Sequence, residues 1–427
     1  MQILLLFGCV LALVLIDVPI AIALGVVAVT ALVATQGTAM LPNVAITMYN
    51  GATSFPLIAI PLFILSGAIM NSSGISRRLI AFASAVLGWI RGGLAIVSIG
   101  TSMFFAEISG SAVADAAALG AILIPAMQSR GYSKEFAAAV ISSSATLAVI
   151  IPPSIPMLLY AVIAETSVVK LFVSGIVPGI IGGIGLMGVA YWFARRYQFP
   201  VEQAFRWANV VGTFKEALWA FVLPVIILGT IFGGIVTATE GAAIAVLAAL
   251  FIGFGVYREL DAKVLRVAIV EGGIQTAVVM LLVAASALLG VYLTETHLPQ
   301  RLAQAILELT SNRWAVLAIL NVLFLILGLF LHSAAAIILT VPVVMPLVKA
   351  AGIDPVHFGL IVTINLGIGQ QTPPVASVLM TCCAIAKADM WAVTKINVYF
   401  VAVLFAVLLL VTYVPVTGMG LVTLFYG

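Results

Sequence analysis

Two proline pairs interrupt apolar runs of this chain, at Ile151-Pro152-Pro153-Ser154 and Thr372-Pro373-Pro374-Val375. A proline has no N–H, so it cannot donate to the carbonyl four residues earlier. The pairs therefore release the oxygens of Ala148 and Val149 in one place, and of Gly369 and Gln370 in the other. Such oxygens, with Ser or Thr hydroxyls beside them, suit a small hard cation. A second kind of break precedes each pair, at Ser109-Gly110-Ser111 and at Leu331-His332-Ser333. There one half-helix turns its negative end to the tip and the next turns its positive end to it. Ser111 is a good N-cap. One tip can thus hold a cation through carbonyls and an anion through N–H groups. Ser-Gly-Ser alone also reads as an ordinary turn, but its pairing with a Pro-Pro break favours a site. Asp115 lies one turn further on, either as part of the site or as a complement to the helix N-terminus. Glu107 poses the same choice, while Asp17 and Glu240 read as helix caps. Gln370 and Gln371 either bind a polar substrate or satisfy released carbonyls.

These residues need a hydrocarbon setting, and the composition supplies it. Of the 427 residues 64% are apolar and 8% are charged, where a soluble domain carries roughly 25% charge. Soluble enzymes, nucleic-acid binders and disordered chains are excluded, and a net charge of +3 gives no reason to expect a nucleic-acid partner. Cys9, Cys382 and Cys383 read as small apolar residues. His297, His332 and His357 lack metal-ligand spacing. With no nucleophile–base set, neither an enzyme nor a bound cofactor is expected.

A crossing helix needs about 20 mainly apolar residues. Such runs fall at 2–16, 18–36, 55–71, 136–165, 170–195, 217–236, 239–257, 274–294, 356–386 and 391–416. The first reads as a membrane helix because it lacks a basic start and a cleavage site. The stretches 92–128 and 314–349 break halfway and read as re-entrant hairpins. Segments 74–90, 297–311, 200–216 and 259–272 read as amphipathic helices along the interface. With ten crossings, the positive-inside rule places 14 basic residues in the cytoplasm. It leaves Lys170, Arg301, Arg313 and Lys349 outside with both termini.

The chain also matches itself. At an offset of 221 residues, Pro125 meets Pro346, Gly131 meets Gly352, and Pro152-Pro153 meets Pro373-Pro374. Near 223, Arg78-Leu79 meets Arg301-Leu302. Residues 1–200 and 201–427 then read as two copies of one unit, each with five crossings and one hairpin. Five is odd, so the copies sit upside down relative to each other, as in secondary transporters. The expected fold is an all-α polytopic membrane protein. Its scaffold is 1–54 and 217–257, and its transport parts are 55–195 and 274–416.

The segments FFAEISGSAVADAAALGAILIPAM, GYSKEFAAAVISSSATLAVIIPPSIP and VVMPLVKAAGIDPVHFGL with GIGQQTPPVAS resemble the large membrane subunit of tripartite ATP-independent periplasmic (TRAP) transporters. The resemblance runs over essentially the whole chain. It implies a sodium-driven, elevator-type importer of organic anions in a bacterial inner membrane. It also implies two partners, a small four-helix membrane subunit and a periplasmic substrate-binding protein. Family sodium sites carry over to Ser109, Ser111, Ala148, Ile151 and Pro153, and in the second copy to Gly367, Gly369, Thr372 and Pro373. The family's hairpin aspartate matches Asp115. Gly110, Ser154, His332, Ser333, Gln370 and Gln371 join Asp115 as candidates for substrate binding or coupling. One departure stands out. Family members usually read Phe-Leu-Asp or Met-Asp at the second tip, and this chain reads Phe330-Leu331-His332. A histidine there is neutral or, when charged, repels sodium, which sets the second site apart from the family pattern. A sialic acid-like sugar acid is the favoured substrate, because adjacent glutamines suit a polyhydroxylated ligand, with C4-dicarboxylates next. The competing reading is a stand-alone sodium/dicarboxylate or other anion transporter that needs no binding protein. A channel or a purely structural subunit fits less well, since broken helices argue against the latter and no uniform polar lining marks a pore.

Overall fold

The computed structural model describes every residue except Met1, Asp17, Pro200, Glu202, Gln203 and Ser311, and gives no side chains for residues 2–5, 7, 15 and 107–109. The Asp17 cap and the side chains of Glu107 and Ser109 therefore lie outside the described residues. The described chain is all helix, with no strand among the described residues. Nine of its helices are long and apolar enough to cross a membrane, so this is a multi-pass membrane protein.

The first half runs α1 (Gln2–Leu15), α2 (Ile20–Gln36), α3 (Leu41–Ala52), α4 (Ala59–Ser72), α5 (Ile75–Leu87), α6 (Gly93–Ser109), α7 (Ala112–Ser129), α8 (Lys134–Ala145), α9 (Ile155–Ile163) and α10 (Val168–Arg196). The second runs α11 (Trp207–Phe232), α12 (Ala238–Phe251), α13 (Ala262–Thr296), α14 (Leu298–Leu309), α15 (Arg313–Phe330), α16 (Ser333–Ala350), α17 (Pro355–Gly369), α18 (Ser377–Ala386), α19 (Met390–Tyr413) and α20 (Val416–Tyr426). Both interrupted stretches break where the sequence indicates, between α6 and α7 and between α15 and α16. The element order repeats as well. α7 and α16 start at 112 and 333, and α8 and α17 at 134 and 355, in each case 221 residues apart.

The structure differs from the sequence reading in several places. Residues 207–216 and 262–272 are not separate interfacial helices; they are the first turns of the continuous α11 and α13. Neither junction holds a proline, and α13, of 35 residues, packs against α2, α3 and α4. Packing of an apolar face, more than local charge, decides where a helix ends. α3 falls between the crossing runs 18–36 and 55–71, in a stretch the sequence reading left without an element, and it carries Asn43, Thr47 and Asn50. α20 adds a short helix at the C-terminal end. Glu240 does cap: with Thr237 it forms a reciprocal capping box at the start of α12.

The two proline-broken helices occupy the middle of the molecule. Every residue of α8 from Phe136 to Ala145 is buried, as is every residue of α17 from Val356 to Gly369. A helix enclosed on all sides must pair its polar groups internally. Ser144 accepts from Ser102 of α6 at 2.9 Å. Asn365 donates to Asn321 of α15 at 2.7 Å, and Asn321 in turn donates to Thr412 of α19 at 3.1 Å.

Two ion pairs tie the amphipathic α5 to the loop between α12 and α13. Arg77 and Arg78 reach Oε1 of Glu259 at 2.7 and 2.8 Å, and Arg78 lies over the Tyr257 ring at 3.7 Å. The Arg77 side chain is largely exposed, so this pair is screened by solvent. Glu259→Gln is therefore expected to cost about 1 kcal/mol at most, with a small fall in the thermal midpoint that disappears in high salt. A larger fall that persists in high salt would mean the contact holds the arm in place by more than charge.

Candidate functional site

Each hairpin tip is bonded to its neighbouring Pro-Pro break. At the first, Ile155 N donates to Gly110 O at 3.3 Å. Gly110 adopts φ +59°, and a Cβ there would come within 2.8 Å of Pro153 O. Only glycine allows both that φ and that approach. Ser111 caps α7, accepting from Ala114 N at 3.5 Å. Asp115 is fully buried in the first turn of α7. At the second tip, Val375 N donates to Leu329 O at 3.3 Å, and the Gln370 amide donates to the Ser333 hydroxyl. His332 begins α16 without a capping hydrogen bond from its side chain.

The released carbonyls are not all idle. Val149 O accepts from the Ser154 hydroxyl at 2.8 Å, and Ser154 also caps α9. Gly369 O accepts from Thr372 N at 3.0 Å, and Gln370 O from Val378 N at 3.1 Å. The expectation of free oxygens is corrected here for three of the four: Ser154 and Val378, beyond the proline pairs, and Thr372, just before the second pair, supply donors. Each carbonyl still has a second lone pair.

Both tips and both breaks meet at one cavity of about 370 Å³, which Gly110, Ser111, Val149, His332, Ser333 and Gln370 line from the hairpin side. Ile64 of α4 and Ile274, Gln275, Val278 and Val279 of α13 close the opposite wall. The remaining candidates lie behind this surface. Ile151 packs on Gly179 of α10. Ala148 is buried in the 3-10 turn Thr146–Val149. Gly367 sits against Thr146, where a Cβ would come within 2.8 Å of its methyl. The Thr372 hydroxyl donates to Ile368 O at 2.9 Å, and Pro373 opens the second proline pair. Gln371 does not line the cavity; its carbonyl accepts from Asn397 Nδ2 at 3.1 Å, and its side chain is buried.

Sequence reasoning missed Gln275, because α13 was divided between an interfacial and a crossing segment. It also missed the close contact of Gly369 with Gly328 of α15, where a Cβ on Gly369 would stand less than 3.0 Å from three backbone atoms.

The model of the family described as "Tripartite ATP-independent periplasmic transporter, DctM component" matches residues 7–417. The chain belongs to this DctM family. Among its relatives, this permease is 42% identical to the "Isethionate TRAP transporter permease protein DctMQ" of Oleidesulfovibrio alaskensis over 97% of the chain. The match spans 65% of that longer protein. It is 38% identical to the "C4-dicarboxylate TRAP transporter large permease protein DctM" of Vibrio cholerae over the whole chain and 99% of that protein. Among solved structures it resembles the YdaH transporter of Alcanivorax borkumensis, with a TM-score of 0.64, 14% identity and 90% of each chain covered. That likeness shows a shared fold. The relatives are transporter components, and the permease is not an enzyme.

Proposed function

We propose that this permease is a sodium-coupled importer of an organic anion in a bacterial inner membrane, working by an elevator motion with both termini periplasmic. It would receive its substrate from a periplasmic binding protein and act with a small four-helix membrane subunit. The observation that carries this reading is the convergence of two hairpin tips and two proline-broken helices on one cavity between the hairpins and α13. Irregular backbone survives at membrane depth where it lines a cavity or is buried in protein. The bonds Ile155 N to Gly110 O and Val375 N to Leu329 O join tip to break, which favours the hairpins and broken helices moving together. They would move against 2–36 and 217–257. The names of the relatives put isethionate and C4-dicarboxylates among the substrates to test. The sugar-acid preference loses one support, because Gln371 is turned away from the cavity.

Reconstitution into vesicles tests the coupling. Uptake with the binding protein present should require an inward sodium gradient. Ser111→Ala should raise the half-saturating sodium concentration about tenfold, the effect of one lost polar contact. Uptake that ignores sodium in both proteins would sink the proposal, and equal uptake without any binding protein would favour the stand-alone reading.

A further inference from the structure

We propose that the groove between α10 and α19 binds one anionic phospholipid, with an acyl chain in the groove and the phosphate between Arg196 and Lys395. Both helices are long and apolar enough to cross a membrane, and they pass each other in opposite directions. Gly185 of α10 lies against Val403 of α19, where an added Cβ would come within 2.5 Å of its Cγ1. Two turns further along α10, the Trp192 and Tyr399 rings stand 5.7 Å apart. Between these contacts the helices leave an open groove of about 400 Å³, lined by Gly185, Gly188, Val189, Trp192, Tyr399 and Ala402. At Gly188 an added Cβ would meet nothing within 4 Å. Ile184 and Val398 beside the groove are exposed, so it opens on a face that hydrocarbon must cover. Apart from the Trp192 N–H and the Tyr399 hydroxyl, the lining side chains are apolar, which suits the methylenes of a chain.

Charge selects the headgroup. One turn beyond the Trp192–Tyr399 contact, forward along α10 and back along α19, the chain places Arg196 and Lys395 at the same end of the groove. Arg196 lies over the Trp192 ring at 5.6 Å, and Arg195 over the Tyr191 ring at 5.9 Å, which keeps both guanidiniums at the aromatic rim. Arg195, Arg196 and Lys395 are exposed, and none of them is in an ion pair among the described residues. Asp389 at the start of α19 is taken up as its N-cap, accepting from Ala392 N at 2.9 Å. The two arginines complement the negative end of α10. Lys395 has no such support, since it lies near the positive end of α19. A phosphate between Arg196 and Lys395 would offset their repulsion, and each basic residue near the surface favours an anionic lipid. A zwitterionic headgroup carries its own cation and offsets less.

The test is native mass spectrometry of the delipidated permease complex, titrated with phosphatidylglycerol or with phosphatidylcholine of the same chains. The first phosphatidylglycerol should bind at least about tenfold more tightly than phosphatidylcholine. Replacing both cations, Arg196→Gln with Lys395→Gln, should erase that preference and leave the weaker binding of phosphatidylcholine in place. Gly188→Leu fills the groove from an exposed helix position where a side chain meets nothing. It should weaken the first binding event of both lipids at least about tenfold, whereas lipids bound elsewhere on the surface would not respond. If the charge variant does not fold, Gly188→Leu decides alone. Equal affinity of the wild type for the two lipids would overturn the proposal, as would unchanged phosphatidylglycerol binding in either variant. Gly188→Leu that keeps its lipid and loses the small membrane subunit would also overturn it and assign the groove to that protein.

Discussion

Gly369→Ala should abolish uptake and lower the thermal midpoint of the permease, while Gly229→Ala should leave uptake unchanged and raise the midpoint slightly. At Gly369 an added Cβ meets the Cα, C and O atoms of Gly328. Those are backbone atoms, so no rotamer change relieves the overlap; α15 and α17 must move apart. Overpacking of a well-filled core costs about 1–3 kcal/mol. Here the displaced element ends in the second hairpin tip, so geometry at the cavity shifts too. At Gly229 nothing lies within 4 Å of an added Cβ, and alanine favours helix by about 1 kcal/mol. Uptake and melting curves on both variants decide the matter. Normal uptake in Gly369→Ala would mean that the two helices are free to separate and that this contact does not position the site.

Asp115→Asn carries the second large effect. Asp115 is fully buried within a membrane helix, where insertion scales put a carboxylate at about 2.5–3.5 kcal/mol. The N-terminus of α7 offsets up to about 2 kcal/mol of this in a buried geometry. A cation held at the same tip would offset the rest. Asparagine keeps the shape and removes the charge. If the carboxylate balances sodium, Asp115→Asn should raise the half-saturating sodium concentration by more than about tenfold, which is at least about 1.4 kcal/mol of coupling. If it serves only the helix dipole, stability should fall by about 0.3–1 kcal/mol and the sodium curve should stay where it was. An unmoved sodium curve therefore removes Asp115 from the coupling machinery.

The breaks in this fold were legible because prolines, glycines and serines act on the few residues around them. Ser109-Gly110-Ser111 and Pro152-Pro153 interrupt their helices whatever lies nearby. Matching residues 221 apart exposed the repeated order for the same reason. What stayed hidden depends on distant parts of the chain. Gln275 becomes a cavity residue only because α13 lies across both hairpin tips. Gly328 reads as an ordinary helix glycine until α17 brings Gly369 against it. Asn321, Asn365 and Thr412 are single polar residues in apolar runs, and their shared network needs three helices side by side. The donors that reach three of the carbonyls ahead of the proline pairs stayed hidden too: Ser154 and Val378 come from the far side of each break, and Thr372 from just before the second.

The bonds that join tip to break also constrain how this chain can change in length. Gly110 is 45 residues from Ile155, and Leu329 is 46 from Val375. Between each pair lie a hairpin limb, a turn and half of a broken helix. Where the chain turns in the open, as at the exposed Gly131 and Gly352, even an added Cβ meets nothing within 4 Å, and an inserted residue can bulge outward. Inside α7, α8, α16 or α17 one extra residue would rotate everything after it by about 100° and carry the tip or the break off its partner. Insertions and deletions in related chains should therefore gather at those two turns and spare the four helices, even where their side chains vary freely.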